Sequence, residues 1–204
     1  MQRRHEASDA GCERSLMKRL AILGSTRGSH LDYIVNAIRQ NELSATINIV
    51  MSNKLNAPIL ERAKNFGLTT DIIDVTGTRE ECDARVTAKL RKHSIDLIIL
   101  MGYMRILSAD FIHAWENKII NIHPSLLPAH AGKMDLDVHR SVLAAGELET
   151  GCTVHYVTEH VDAGPIILQK KCQVLITDTP ETLKARVQQC ESAALIEAIR
   201  IFTI

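Results

Sequence analysis

Aromatic side chains are scarce in this chain, at 3% of 204 residues, although hydrophobic residues reach 46%. A core of this composition must be aliphatic, built from Ile, Leu, Val and Ala, which suits parallel strands buried under helices on both faces. The length allows one α/β domain with a substantial core and is short for two. Excess charge is also missing: 24 Lys and Arg balance 24 Asp and Glu. Nothing in that balance favours a polyphosphate backbone, so a nucleic-acid substrate is disfavoured. No Cys-x-x-Cys pair occurs among Cys12, Cys82, Cys152, Cys172 and Cys190, which argues against a disulfide framework and a structural zinc site. The five read as thiols of a reducing cytoplasm. The longest apolar run, 97–101, is followed at once by Gly102 and Tyr103, far short of the roughly 18 residues a membrane span needs. The N-terminal MQRRHEASDAGCERSLMK lacks the apolar centre of a secretory signal. Residues 1–17 are therefore expected to form a disordered tail, with Met17 a second candidate start because MKRLAILG opens directly into a strand.

What is present is an alternation of aliphatic runs with segments of helical period, the rhythm of a parallel sheet. Strands are expected at 20–24, 46–52, 71–75, 95–102 and 118–123, and helices near 30–40, 57–66, 79–93 and 108–115. IDLIILMG has no polar interruption after Asp96 and is expected to be a central strand buried on both faces. Thr78 is an expected N-cap with Glu80 and Glu81 in the positive first turn. A long loop from Pro124 to about Asp137 leads to a helix near 138–145. GCTVHYVTE and IILQKKCQVLI then read as hairpin partners. Thr179-Pro180-Glu181 opens a final helix, whose Leu183, Val187, Cys190, Ala194 and Ala198 make an apolar stripe.

Ligands of open α/β sheets bind beyond the carboxyl ends of the strands, so the residues following each strand carry the information. The first strand ends in GSTRGSHLDYI, where Ser29 and Asp32 are spaced as a capping box. Backbone N–H groups of such a loop at a helix N-terminus suit a phosphate, and equally the loop is a plain turn. The spacing is not that of a dinucleotide fingerprint. The central strand ends in MGYMRILSADF, with Ser108 capping the next helix. Arg105 there is an anion ligand or, more simply, a surface residue. The stretch IINIHPSLLPAHAG delivers Asn121 and His123, two apart and on one strand face, just before Pro124 ends the strand. An amide donor beside an imidazole suits a reaction developing negative charge on a carbonyl oxygen; alone, it reads more readily as a polar strand end bonded to its own loop. Asp162, in the EHVDAGPI turn, is a carboxylate able to orient a histidine and raise its pKa; alone, it reads more readily as an ordinary turn aspartate. His113, His130, His155 and His160 show no metal-site spacing and read as surface or satisfied polar residues.

Taken together, NIHPSLLPAHAG at 121–132, VHYVTEHVDAGPIILQ at 154–169 and MGYMRIL at 101–107 resemble the folate-dependent formyltransferases, nearest to the branch serving purine biosynthesis. The resemblance runs from about Lys18 to Phe202 and makes 18–204 the expected catalytic domain. It implies a single-domain Rossmann-like sheet, mostly parallel, with helices on both faces and an antiparallel C-terminal hairpin. It implies that the amine of a glycinamide ribonucleotide attacks the formyl carbon of 10-formyltetrahydrofolate, the co-substrate, with no metal and with only small molecules as partners. Asn121 is implied as donor to the formyl oxygen, His123 as general acid and oxyanion stabiliser, and Asp162 as the carboxylate raising the His123 pKa. Arg27, Gly28 and Ser29 are implied at the substrate phosphate, and Gln188 and Glu191 at its ribose and glycinamide end. The folate is implied against Arg79, Met104, Arg105, Ile106, Leu107, Asn121, Thr158, Glu159, His160 and Val161. A cis peptide before Pro128 is implied as well. Two departures stand out: Arg27 and His30 replace the asparagines of the commoner GNGSN loop, and the HAGKMDLDVHR segment is longer than usual. Two other readings compete, a formyltetrahydrofolate deformylase with water as nucleophile and a non-catalytic binding module.

Overall fold

The computed structural model describes residues 17–203. The expectations for the N-terminal tail lie outside this range apart from Met17. Seven strands form one sheet in the order β3-β2-β1-β4-β5-β6-β7. They are β1 (Lys18–Leu23), β2 (Ala45–Ser52), β3 (Thr70–Ile72), β4 (Leu97–Leu100), β5 (Ile119–His123), β6 (Glu149–Tyr156) and β7 (Ile166–Gln173). The first five are parallel, while β6 runs antiparallel to β5 and β7 antiparallel to β6. The helices are α1 (Leu31–Arg39), α2 (Pro58–Asn65), α3 (Arg79–Lys92), α4 (Ala109–Ala114), α5 (Leu136–Ala144) and α6 (Pro180–Thr203).

The period of two along each strand divides the core between the two faces of the sheet. Leu20 and Ile22 pack on one face with Leu31 and Ile34 of α1, Ile59 of α2, Val142 of α5 and Leu183, Val187 and Leu195 of α6. Ala21 and Leu23 pack on the other with Val86 and Leu90 of α3 and Phe111 of α4. β4 is central and buried along its whole length, as its uninterrupted apolar run requires. Thr78 caps α3 through a reciprocal box with Glu81, and Ser108 caps α4 by accepting from the Phe111 N–H.

Three local expectations are corrected. The Ser29/Asp32 box does not form: α1 begins after His30, which makes no side-chain cap bond, and the Asp32 carboxylate is taken by Arg62 at 2.7 Å. The third strand covers only Thr70–Ile72 because it lies at the sheet edge, and Asp74 then bends the chain by accepting from the Thr76 N–H. The final strand stops at Gln173, since Asp178 accepts from the Leu175 N–H and starts a turn.

Candidate active site

Chain order reverses between β1 and β4, and beyond the carboxyl ends of β1, β4 and β5 lies a cavity of about 560 Å³. One wall is the loop after β1, with Arg27, Gly28 and Ser29. Gly28 has φ +62°, and a Cβ there would sit 2.3 Å from Ile59 Cγ1, so only glycine lets this turn lie against α2. The loop after β4 is stitched to it: Ser25 N–H donates to the Gly102 carbonyl at 3.1 Å, and Met104 N–H to Ser25 Oγ at 2.9 Å. Met104, Arg105, Ile106 and Leu107 line the cavity, with Met104 and Ile106 leaving apolar surface exposed to it. The loop carrying Thr158, Glu159, His160, Val161 and Asp162 closes the opposite side.

At the centre, Asn121 and His123 project from the same face of β5, and the antiparallel register sets His155 of β6 directly opposite Asn121. His123 Nδ1 lies 3.2 Å from Asp162 Oδ2, and its Nε2 3.3 Å from the His130 carbonyl oxygen. The Gly132 N–H donates to the same Asp162 oxygen at 2.9 Å. Asp162 sits at φ +54° in its turn, and Gly164 allows the return, since a Cβ there would meet the Tyr156 carbonyl oxygen at 1.8 Å. His155 contacts the Tyr156 carbonyl through Nδ1 at 2.9 Å. With the ring proton on Nδ1, Nε2 accepts from Asn121 Nδ2 at 3.2 Å, and the same Nε2 lies 3.6 Å from Asp162 Oδ1. That contact decides which way the Asn121 amide points. Burial holds both His123 and His155 below the ordinary histidine range; Asp162 opposes this in each, and for His123 burial is the larger effect. Asp162 acts to raise the His123 pKa, and the burial of a ring only 4% exposed outweighs it.

The far end of the cavity is built by α6, which presents Lys184, Gln188 and Glu191, and by α5, which presents His139. Glu191 is 6% and His139 1% exposed. His139 Nδ1 is buried without a partner, and burial lowers its pKa as well. The longer segment also reaches the cavity: Lys133, Met134 and Asp135 line it, and Asp135 is tied back by Lys184. That pairing holds the Asp135 carboxyl below its usual range. Among the described residues, no three His, Cys, Asp or Glu side chains are grouped to hold a metal ion, and no helix is long and apolar enough to cross a membrane.

Residues 18–199 match the family model described as formyl transferase. The chain belongs to the formyl transferase family. The chain is 39% identical over 176 residues to the phosphoribosylglycinamide formyltransferase of Escherichia coli (strain K12), covering 85% of this chain and 82% of that one. It is 43% identical over 185 residues to the trifunctional purine biosynthetic protein adenosine-3 of Gallus gallus. There the match covers 90% of this chain but only 18% of the larger protein. The crystal structure of glycinamide ribonucleotide transformylase 1 from Symbiobacterium toebii superposes with a TM-score of 0.87 at 38% identity, covering 92% of this chain and 88% of that one.

Of the site residues implied by the resemblance, all but Arg79 line this one cavity. Arg79 lines a separate depression with Val75 and Gly77, which shares Arg105 and Ile106 with the main cavity. The bond between Leu127 and Pro128 is cis. Sequence reasoning missed His155, His139 and Lys184. For His155 the only signal was its place in an alternating strand, which becomes informative once that strand is known to pair antiparallel with 119–123.

Proposed function

We propose that this formyltransferase transfers the formyl group of 10-formyltetrahydrofolate to the amine of 5-phosphoribosyl glycinamide. The observation that carries this reading is Asn121 and His123 on one strand face, with Asp162 on the ring Nδ1 of His123 at 3.2 Å. The family supplies the formyl-folate co-substrate class, and the relatives' names supply the acceptor. In the proposed pose the phosphate rests on the Arg27-Gly28-Ser29 turn at the start of α1, where free N–H groups and the helix dipole favour an anion. The ribose reaches Gln188 and Glu191. The folate ring lies between residues 104–107 and 158–161, with Arg79 and Arg105 facing its acidic tail.

Attack by the amine forms a new C–N bond and places negative charge on the formyl oxygen. The Asn121 Nδ2 hydrogen not used on His155 is the donor for that oxygen. A resting His123 held neutral by burial takes the proton from the attacking amine through Nε2. The imidazolium so formed is stabilised by Asp162 and faces the oxyanion. It then returns the proton to the folate nitrogen as the old C–N bond breaks, so the proton count closes without net acid or base.

The assay follows tetrahydrofolate formation by absorbance, with and without the glycinamide substrate. Product is expected only when both substrates are present. Equal turnover without the amine would identify a hydrolase, and no turnover in either case a binding module.

A further inference from the structure

The His30 side chain is spent outside its own helix. It occupies the N-cap of α1, where Asn, Asp, Ser or Thr usually satisfies a free N–H group, yet makes no such bond. Its ring crosses to α6 instead, with Nδ1 3.0 Å from Ser192 Oγ and Nε2 3.5 Å from Glu191 Oε2. All three residues are buried, none more than 7% exposed. Proton bookkeeping gives the contact a direction. The Ser192 hydroxyl donates to the Gln188 carbonyl at 3.0 Å, so its oxygen accepts and His30 Nδ1 carries a hydrogen. The Nε2–Glu191 distance of 3.5 Å is that of a close polar contact, longer than an ordinary hydrogen bond.

Gly28 and Ser29 immediately precede His30, so this contact ties the turn after β1 to the carboxylate at the far end of the cavity. We propose that His30 is a positioning residue: anchored on Ser192 and packed against Glu191, it aims the Glu191 carboxylate at the hydroxyls of a phosphorylated ribose. In doing so it sets the spacing between the phosphate turn and the ribose subsite. The other titratable groups facing Glu191 are His139 of α5, His123 of β5 and Cys152 of β6. This inference rests on the functional reading above and extends it to substrate selection.

The test is a double-mutant cycle on the full chain, with glycinamide ribonucleotide binding measured by calorimetry and steady-state kinetics run alongside. His30→Ala is expected to weaken nucleotide binding and raise its KM by at least roughly tenfold. The KM for the formyl donor and kcat at saturation are expected to stay within about twofold. In a Glu191→Gln background the same change is expected to have little further effect. His30→Asn, a shorter side chain that still offers amide hydrogens towards Ser192 and Glu191, is expected to recover part of the binding and guards against a folding defect. Additive effects in the cycle, equal losses for both substrates, or unchanged nucleotide binding in His30→Ala would overturn the proposal while leaving the functional reading intact. A wild-type protein that neither binds nor formylates the nucleotide overturns both.

Discussion

Besides the His155–Asp162 contact at 3.6 Å, two histidine–carboxylate pairs line the cavity and are built differently. His123 and Asp162, 3.2 Å apart, come from a strand end and a turn residue at positive φ. His30 and Glu191, 3.5 Å apart, come from a helix N-cap and the body of α6. In the first pair both ring nitrogens face oxygen acceptors, Asp162 and the His130 carbonyl. Such a ring, on gaining a proton, keeps its contact to Asp162 and makes the one to the His130 carbonyl attractive as well. In the second pair one nitrogen is committed to a serine, so the ring serves to hold a carboxylate still. Strand-end loops thus supply the group that changes state, and helices supply the group that must not move.

The comparison predicts a separation of kinetic effects, and the largest belongs to the first pair. His123→Ala is expected to lower kcat by roughly 10² to 10³, about 3 to 4 kcal/mol of transition-state stabilisation, with nucleotide affinity little changed. Asp162→Asn is expected to act in the same direction and less, since the ring keeps its place but loses the charge that supports the imidazolium. Unaltered kcat in His123→Ala would erase the distinction between the two pairs.

Next in size is a pH effect on stability. Burial lowers the pKa of His123, His139 and His155 in the folded chain, while the unfolded chain keeps a value near about 6.5. As pH falls below about 6.5 the unfolded state binds protons that the folded state does not, so stability falls progressively until the folded values are reached. This loss precedes the acid range in which Asp74, Asp96 and Asp135, all lowered by their partners, begin to protonate. Urea midpoints at pH 7.5 and 5.5 measure it. A midpoint independent of pH between these values would mean that the histidines are not kept neutral by burial.

The smallest expected effect is a control remote from both pairs. Thr78→Ala removes the cap of α3 and is expected to cost about 1 kcal/mol in urea unfolding, with the same pH slope as the parent. A changed slope would tie the pH effect to general destabilisation rather than to the buried rings.

Much of this site was legible in the chain because its pieces are local. Asn121-x-His123-Pro124 needs only a strand of period two and a terminating proline. The turn glycines Gly28 and Gly164 mark close approaches of backbone that any fold would have to honour. The cap of α3 was equally legible, since Thr78 and Glu81 lie three apart. The Ser29/Asp32 spacing has the same look and forms no cap, because α1 begins one residue later, after His30, while Arg62, thirty residues on, takes one Asp32 oxygen. Local patterns hold where nothing distant competes for the same atoms.

By itself, then, the sequence determined the aliphatic αβ rhythm and the single domain, and its family resemblance marked Asn121, His123 and Asp162 as candidates. Only the tertiary structure decided that His155 orients Asn121, that burial outweighs Asp162 in setting His123, and that His30 answers to Glu191. Each of these depends on strand order, antiparallel register or helix docking. Those bring together atoms between 34 and 161 residues apart in the chain, and burial is a property of the assembled core rather than of any segment of it.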